Sequence, residues 1–160
     1  MAIDAGMVVA DIGAGTGYFL PHLSSACGAQ GRVLAVDIEP DMVRYLKERA
    51  AREQLANVEP RLGKVDTPAL AADSVDRILM VNTWHHVPNR VAYATELARS
   101  LRADGQLFVV DYTLESERGP PKHHKLSPSV VMDELRAAGF SAELDTQTLP
   151  DQYIVIARKP

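Results

Sequence analysis

A glycine-rich turn preceded by an acidic residue is the segment of this chain with the clearest chemical meaning. Residues 7–11 form an apolar run that ends at Asp11, and residues 12–18 read I-G-A-G-T-G-Y. Glycines let the backbone approach a ligand closely and adopt positive φ angles. The N-terminus of a helix attracts a negatively charged ligand, so a carboxylate just before the turn argues against bound pyrophosphate. We therefore expect a ligand that carries a cationic amino group.

The spacing of the glycines separates this turn from the dinucleotide-binding fingerprint. That fingerprint is G-x-G-x-x-G, whereas Gly13, Gly15 and Gly17 give G-x-G-x-G, and Tyr18 stands where the third glycine would be. A nicotinamide-dependent oxidoreductase is therefore the less favoured interpretation.

A second carboxylate ends the next apolar run. Asp37 is the last residue of the apolar run 33–37 and lies 26 positions after Asp11. A carboxylate at this strand end can accept hydrogen bonds from both ribose hydroxyls of a nucleoside. Enzymes that bind nicotinamide dinucleotides use an acid in the same way, so Asp37 alone does not distinguish the two interpretations.

Two pairs of adjacent histidines are the candidates for proton transfer. His85 and His86 follow the apolar run of residues 75–82, and His123 and His124 lie in a long loop. Histidine exchanges protons near neutral pH, so His85, His86 and His124 are the candidate catalytic residues. No C-x-x-C or H-E-x-x-H spacing accompanies them, and we predict no metal site.

The elements that must position these residues follow from the pattern of hydrophobicity. Four apolar runs, residues 7–11, 33–37, 75–82 and 107–111, are nearly continuous, as in parallel strands that are covered on both faces. Helices are predicted between them.

Three of those helices have readable ends. One spans residues 40–53 with Met42, Leu46 and Ala50 on one face; another begins after Asn89; a third begins at Ser127-Pro128 and ends at Gly139.

The C-terminal segment predicts a different kind of strand pairing. Residues 140–148 and 152–158 read as strands joined by only three residues, and so short a connection requires an antiparallel hairpin. We predict a single domain over residues 1–160 of the α/β class. It is a doubly wound, Rossmann-like, mostly parallel seven-stranded sheet with a C-terminal antiparallel hairpin and helices on both faces.

Composition limits the environment and the partners. The net charge is −4, and the basic residues are scattered, which argues against a nucleic-acid partner. Cys27 is the single cysteine, no run of about 18 apolar residues is present, and the N-terminus lacks a signal-peptide pattern. We expect a cytoplasmic protein that does not engage a membrane.

The run D-I-G-A-G-T-G at residues 11–17 resembles the first motif of class I S-adenosylmethionine-dependent methyltransferases, in particular their type 11 and type 25 domains. Residues 100–107 resemble the L-k-p-G-G turn before the fifth strand of these enzymes, with Gln106 in place of the second glycine. Residues 135–140 resemble their junction before the sixth strand. The resemblance implies S-adenosylmethionine as cofactor, which carries an amino group and a sulfonium but no phosphate, and transfer of its methyl group to an unidentified small-molecule acceptor.

The resemblance also implies which residues bind the cofactor. It assigns Asp37 to the ribose, Ile38 and Met42 to the adenine ring, Asp66 to the adenine amino group and Asn82 to the methionine end. Relatives often have an aspartate where this chain has Lys64, so Asp66 is chosen as the nearest acid. The implied cofactor-binding residues are Asp11, Gly13, Ala14, Gly15, Gly17, Tyr18, Asp37, Ile38, Met42, Asp66, Thr67 and Asn82.

One departure concerns the beginning of the chain. The first strand starts about seven residues after Met1, whereas most similar enzymes carry helices there that close over the cofactor. We expect an open cofactor site with weaker affinity, because a lid excludes water. Three explanations fit the short segment before the first strand: an open pocket, a truncated chain, or a homodimer or partner subunit that covers the site. A cofactor-binding module without turnover is the alternative function.

Overall fold

The computed structural model of the chain describes residues 1–147 and 149–159. Seven strands form one sheet in the order β3-β2-β1-β4-β5-β7-β6. The strands are β1 (Val8–Ile12), β2 (Arg32–Asp37), β3 (Val58–Leu62), β4 (Val75–Val81), β5 (Leu101–Tyr112), β6 (Ser141–Leu144) and β7 (Gln152–Arg158). The helices are α1 (Leu20–Cys27), α2 (Pro40–Arg52), α3 (Arg90–Ser100) and α4 (Pro128–Ala137). Short 3₁₀ turns occupy Trp84–His86 and Lys122–His124.

Strand pairing confirms the predicted fold class. Strands β1 to β5 pair in parallel, while β7 pairs antiparallel with both β5 and β6. The strand order reverses between β1 and β4, and the crevice beside such a reversal is where open α/β sheets bind ligands. The carboxyl ends of β1, β2, β4 and β5 meet at this edge.

The core lies on both faces of the sheet. One apolar cluster packs between the sheet and α3 and α4, and includes the fully buried Trp84, Leu97 and Leu135. The other packs beneath α1 and α2, and includes Leu20 and Leu46. Near-continuous burial of β1 and β2 follows from this double covering. None of the helices in residues 1–147 and 149–159 is long and apolar enough to cross a membrane.

Two helix predictions agree with the structure and one needs correction. Ser127 caps α4 by accepting a hydrogen bond from Val130 N, and Gly139 follows the helix with a φ of 94°. The buried face of α2, however, consists of Val43, Leu46 and Ala50. Because α2 begins at Pro40, its rotation turns Val43 into the core and leaves Met42 only partly covered.

The predicted turn at residues 100–107 is part of β5. Val75 pairs with Leu101 and Arg77 with Gln106, so the intervening residues form a bulge in which Asp104 has a φ of 62°. The predicted strand at residues 140–148 is shorter, since β6 ends at Leu144, and its predicted last residue, Thr148, lies outside the described residues.

Candidate functional site

Asp11 is a buried carboxylate at the end of β1 with an unusual lack of partners. It is 3% exposed, and the hydrogen bonds of residues 1–147 and 149–159 include none to its side chain. It lines a cleft of about 470 Å³. Burial raises the pKa of Asp11 to about 7, and the Asp37 carboxylate adds to the increase. An ionised Asp11 therefore gains from a cation that enters the cleft.

The glycine turn is fixed against neighbouring strands. The amides of Gly13 and Ala14 donate to Val36 O at 2.8 and 3.1 Å. Gly13 has a φ of 73°, and a Cβ atom built on it would lie 2.3 Å from Thr83 Oγ1. Only glycine fits here, because the β1–α1 turn contacts the turn that follows β4.

Asp37 is held by two backbone amides. It is 8% exposed, its Oδ2 accepts from Gly15 N at 2.8 Å, and its Oδ1 accepts from Glu39 N at 3.0 Å. Each carboxylate oxygen has further lone pairs that remain available to a ligand. Asp37 thus lies between the glycine turn and α2, where the hydroxyls of a nucleoside could reach it.

A second, smaller cavity of about 90 Å³ adjoins Asp37 and is mainly apolar. Ile38, Val87 and Tyr93 contribute to its walls, and this apolar lining suits an aromatic ring. Sequence reasoning missed Tyr93, which lies on α3, far from the glycine turn in the chain. The resemblance placed Ile38 here, and the structure locates it at this cavity.

Five residues assigned to the cofactor lie outside the lining of both cavities: Gly15, Gly17, Met42, Asp66 and Thr67. Lys64 N donates to Thr67 O in a tight turn that directs Asp66 to solvent, and Lys64 and Val65 line the smaller cavity instead. The predicted adenine contact from Asp66 therefore has no support in this geometry.

Ala14 and Tyr18 line the larger cleft with Asp11, as the cofactor assignment requires, although Tyr18 is 72% exposed. Gly17 has a different role. A Cβ atom there would lie within 2.8 Å of both Leu20 and Leu46, so Gly17 allows α1 and α2 to pack closely.

Asn82 follows β4 in a left-handed conformation with a φ of 54°. Its Oδ1 accepts from Gln152 Nε2 at 2.7 Å, and its Nδ2 donates to Tyr112 Oη at 3.4 Å. All three residues line the larger cleft. Strained backbone of this kind is concentrated at functional sites. Sequence analysis missed Tyr112 and Gln152, which no motif marks.

His85 forms a buried pair with Asp111. Its Nδ1 lies 2.9 Å from both carboxylate oxygens, and both side chains are 3% exposed. Asp111 also accepts from the amides of Tyr112 at 2.8 Å and His85 at 3.3 Å. The sequence carried a signal for Asp111, since it ends an apolar run as Asp11 and Asp37 do.

The other two candidate histidines are exposed. The His86 ring lies 4.1 Å from the His85 ring, and His86 lines the smaller cavity. Partial burial lowers the pKa of His86, His85 lowers it further, Asp111 opposes this, and His124 adds a smaller decrease. His124 therefore lies near His86, although 38 positions separate them. The described part of the chain contains no cluster of side chains suited to a metal ion.

Comparison with known proteins identifies similar chains. The family described as a methyltransferase domain matches residues 9–105. A nocamycin O-methyltransferase from Saccharothrix syringae is 34% identical over 167 residues, covering 84% of this chain and 59% of that protein. An arsenite methyltransferase from Halobacterium salinarum is 28% identical over 110 residues, covering 69% and 28%. The chain thus spans between about a quarter and three fifths of these curated relatives.

A solved structure is similar over nearly the whole chain. It is described as a SAM-dependent methyltransferase from Aquifex aeolicus, with a TM-score of 0.93 and 30% sequence identity. The match covers 99% of this chain and 85% of that one.

Proposed function

This chain belongs to the S-adenosylmethionine-dependent methyltransferases, and from that premise we propose that it transfers a methyl group to a small organic acceptor. The observation that carries the proposal is Asp11, a buried carboxylate without a protein partner that opens onto the larger cleft. Such a group fits a ligand with a cationic amino group better than it fits a phosphate.

The residues of the site fit the cofactor in three places. Asp11 would hold the amino group, Asp37 the ribose hydroxyls, and the apolar cavity beside Ile38 the adenine ring. Bound S-adenosylmethionine supplies a methyl group on a positively charged sulfur, which leaves as a neutral thioether. The protein therefore contributes chiefly by orienting the acceptor in line with that methyl group.

The pair of His85 and Asp111 supplies a proton acceptor for a hydroxyl nucleophile. When Nδ1 donates to Asp111, a neutral imidazole has its lone pair on Nε2. His85 would accept the proton of an acceptor hydroxyl at Nε2, and because His85 is 3% exposed and lies outside the lining of both cavities, the acceptor would have to reach it from the cleft. Asp111 acts through His85 and is a positioning residue, like the acid of a catalytic triad.

Cysteine content favours an organic acceptor over arsenite, the substrate in the name of one relative. Soft metals and metalloids favour thiolate ligands. The single cysteine, Cys27, is fully buried beneath α1 and lies outside the cleft. This chain therefore offers the cleft no thiolate.

The experiment combines binding with turnover. The protein is titrated with S-adenosylhomocysteine in a calorimeter, then incubated with methyl-labelled S-adenosylmethionine and a small-molecule extract. We expect saturable binding and label in a small-molecule product. Binding without any labelled product would favour the alternative, a cofactor-binding module without turnover, and lack of binding would exclude both.

We also propose that a homodimer or a partner subunit covers the open cleft. Tyr18, 72% exposed at the cleft, is an aromatic surface that such a partner would cover. Sedimentation velocity with and without S-adenosylhomocysteine tests it, and a monomer at all concentrations would exclude the homodimer.

A further inference from the structure

Three polar side chains form a hydrogen-bonded chain along one wall of the larger cleft. Gln152 Nε2 donates to Asn82 Oδ1 at 2.7 Å, and Asn82 Nδ2 donates to Tyr112 Oη at 3.4 Å. Tyr112 and Gln152 are direct partners in the antiparallel ladder of β5 and β7. Their side chains therefore leave the sheet on the same face and lie side by side.

The direction of these bonds determines what is left for a ligand. Because the oxygen of Tyr112 accepts from Asn82, its O–H group is free to donate. Gln152 uses an N–H group toward Asn82, so its Oε1 is free to accept. Within residues 1–147 and 149–159, no other side-chain hydrogen bond involves Tyr112 Oη or Gln152 Oε1. A ligand in the cleft thus meets one donor beside one acceptor.

The loop that follows β5 packs against the Tyr112 ring. A Cβ atom on Gly119, which has a φ of 80°, would lie 2.2 Å from Tyr112 Cδ2, so the loop backbone contacts the ring directly. Lys125 Nζ lies 5.9 Å from the ring centroid and donates to Ser116 O. A polar group held this way is preorganised, and a ligand need not order it on binding.

The remaining walls of the cleft favour a neutral, planar molecule. Besides Tyr112, six lining residues are aromatic or apolar, namely Ala14, Tyr18, Phe19, Val81, Leu149 and Pro150. Arg118 and Asp151 form an ion pair at 3.5 Å, and Asp11 is committed to the cofactor in the proposed function. The described lining therefore leaves no unpaired charge for the acceptor, while its apolar walls suit a flat ring.

We propose that Tyr112 and Gln152 determine acceptor specificity by binding a neutral planar molecule with two neighbouring oxygen groups. One oxygen accepts from the Tyr112 hydroxyl, and the adjacent hydroxyl donates to Gln152 Oε1. The inference rests on the proposed methyltransferase function, because it assigns Asp11 to the cofactor and leaves this wall to the acceptor.

The test uses catechol, a flat ring with two adjacent hydroxyls, as probe. Catechol is titrated calorimetrically into the protein saturated with S-adenosylhomocysteine. We expect Tyr112→Phe to weaken catechol binding about 5–10-fold, the effect of one lost hydrogen bond, and to change S-adenosylhomocysteine affinity by a smaller factor, since Tyr112 also accepts from Asn82. The ring under Gly119 is retained, so the fold should persist. Tyr45→Phe is the matched control, since exposed Tyr45 on α2 lies outside the cleft.

A second variant tests the acceptor half of the subsite. Gln152→Leu should also weaken catechol binding, and phenol, with one hydroxyl, should bind the wild type more weakly than catechol does. If S-adenosylhomocysteine binds but catechol does not, or if Tyr112→Phe binds catechol like the wild type, the subsite is wrong and the proposed function stands. If S-adenosylhomocysteine does not bind, both proposals fail.

Discussion

At the scale of single residues, Asp11 and Asp37 show how surroundings separate two similar acids. Both end buried parallel strands, but Asp37 accepts from two backbone amides, whereas the described residues offer Asp11 no donor. Hydrogen bonds to the charged form stabilise it, while burial alone destabilises it. Asp11 is therefore the acid whose pKa is raised, and the one with most to gain from a bound cation.

The raised pKa of Asp11 predicts pH-dependent cofactor binding. With a pKa of about 7, Asp11 is mostly protonated at pH 6 and half ionised at pH 7. The ligand's amino group stays charged here, since α-amino groups titrate at about 7.7–8.0. If only ionised Asp11 binds, S-adenosylhomocysteine affinity should rise about fivefold from pH 6 to pH 7. Calorimetry measures this, and Asp11→Asn should bind weakly without this rise.

The same pKa predicts how stability of the ligand-free protein changes with pH. The folded state keeps the Asp11 proton up to about pH 7, whereas the unfolded state loses it near the ordinary pKa of 3.8. The folded state thus binds more protons between these pH values, so stability falls as pH rises through this window. Asp11→Asn should raise the free energy of unfolding at about pH 8 by on the order of 1–4 kcal/mol. Urea unfolding that shows no gain would contradict the buried, unpaired state of Asp11.

Asp37→Ala is expected to lower S-adenosylhomocysteine affinity about 10–100-fold, because it removes an acceptor of charged hydrogen bonds to the ligand and to Gly15 N. Asp41→Ala is the control, since Asp41 lies on the first turn of α2 with a 75% exposed side chain. Calorimetric titration of both variants decides the matter. Equal affinities would remove Asp37 from the ribose role.

At the scale of elements, the turn after β1 and the turn after β4 act as one unit. Gly13 lies against Thr83, and Asn82 enters the second turn in a left-handed conformation. The β4 turn continues into Trp84, whose indole Nε1 donates to Glu134 of α4 at 2.9 Å, and Arg90 of α3 also contacts this carboxylate. The position of the cleft wall thus depends on α3 and α4, which cover the face of the sheet opposite α1 and α2.

Two glycine substitutions test this contact between turns. Gly13→Ala places a Cβ atom against Thr83 in addition to the strained φ, so we expect a loss of about 2–5 kcal/mol in the free energy of unfolding. Gly15→Ala is the matched variant, because Gly15 has a φ of 52° but open space around its Cβ position. Its expected loss is about 1–2 kcal/mol, from backbone strain alone. Urea unfolding of the ligand-free proteins gives both values, and equal losses would show that the turns are not in close contact.

At the scale of the whole molecule, the sheet order brings distant parts of the chain to one edge. The ends of β1, β2, β4 and β5 and the beginning of β7 surround the two cavities. A ligand that spans both cavities would contact the ends of five of the seven strands, and it should therefore stabilise the whole fold by binding only the folded state.

Thermal unfolding with a panel of ligands tests this coupling and the cofactor together. S-adenosylhomocysteine at about 100 times its dissociation constant should stabilise the protein by about 2.7 kcal/mol. For a chain of this size, that raises the melting temperature by roughly 5–10 °C. NADH should have no such effect, because Tyr18 replaces the third glycine of the dinucleotide turn. A shift with NADH alone would overturn the assigned cofactor.

The sequence by itself determined the fold class and the cofactor of the family. Apolar runs that end in Asp11 and Asp37, and a glycine turn with G-x-G-x-G spacing, are local patterns, so they could be interpreted without knowing which strands are neighbours. Two details depended on local geometry that these patterns do not specify. Rotation of α2 decided between Met42 and Val43, and the turn held by Lys64 and Thr67 directed Asp66 to solvent.

Only the tertiary structure decided which side chains share a partner. Asn82 contacts Gln152 across 70 positions, and His85 contacts Asp111 across 26. These contacts arise because β4, β5 and β7 are neighbours in the sheet, which no short-range pattern specifies. The same packing gives the Asp37 carboxylate two backbone N–H donors, whereas the described residues give the Asp11 carboxylate no hydrogen-bond donor. Residue types therefore indicated the cofactor, whereas strand order and burial created the proposed proton acceptor and acceptor subsite.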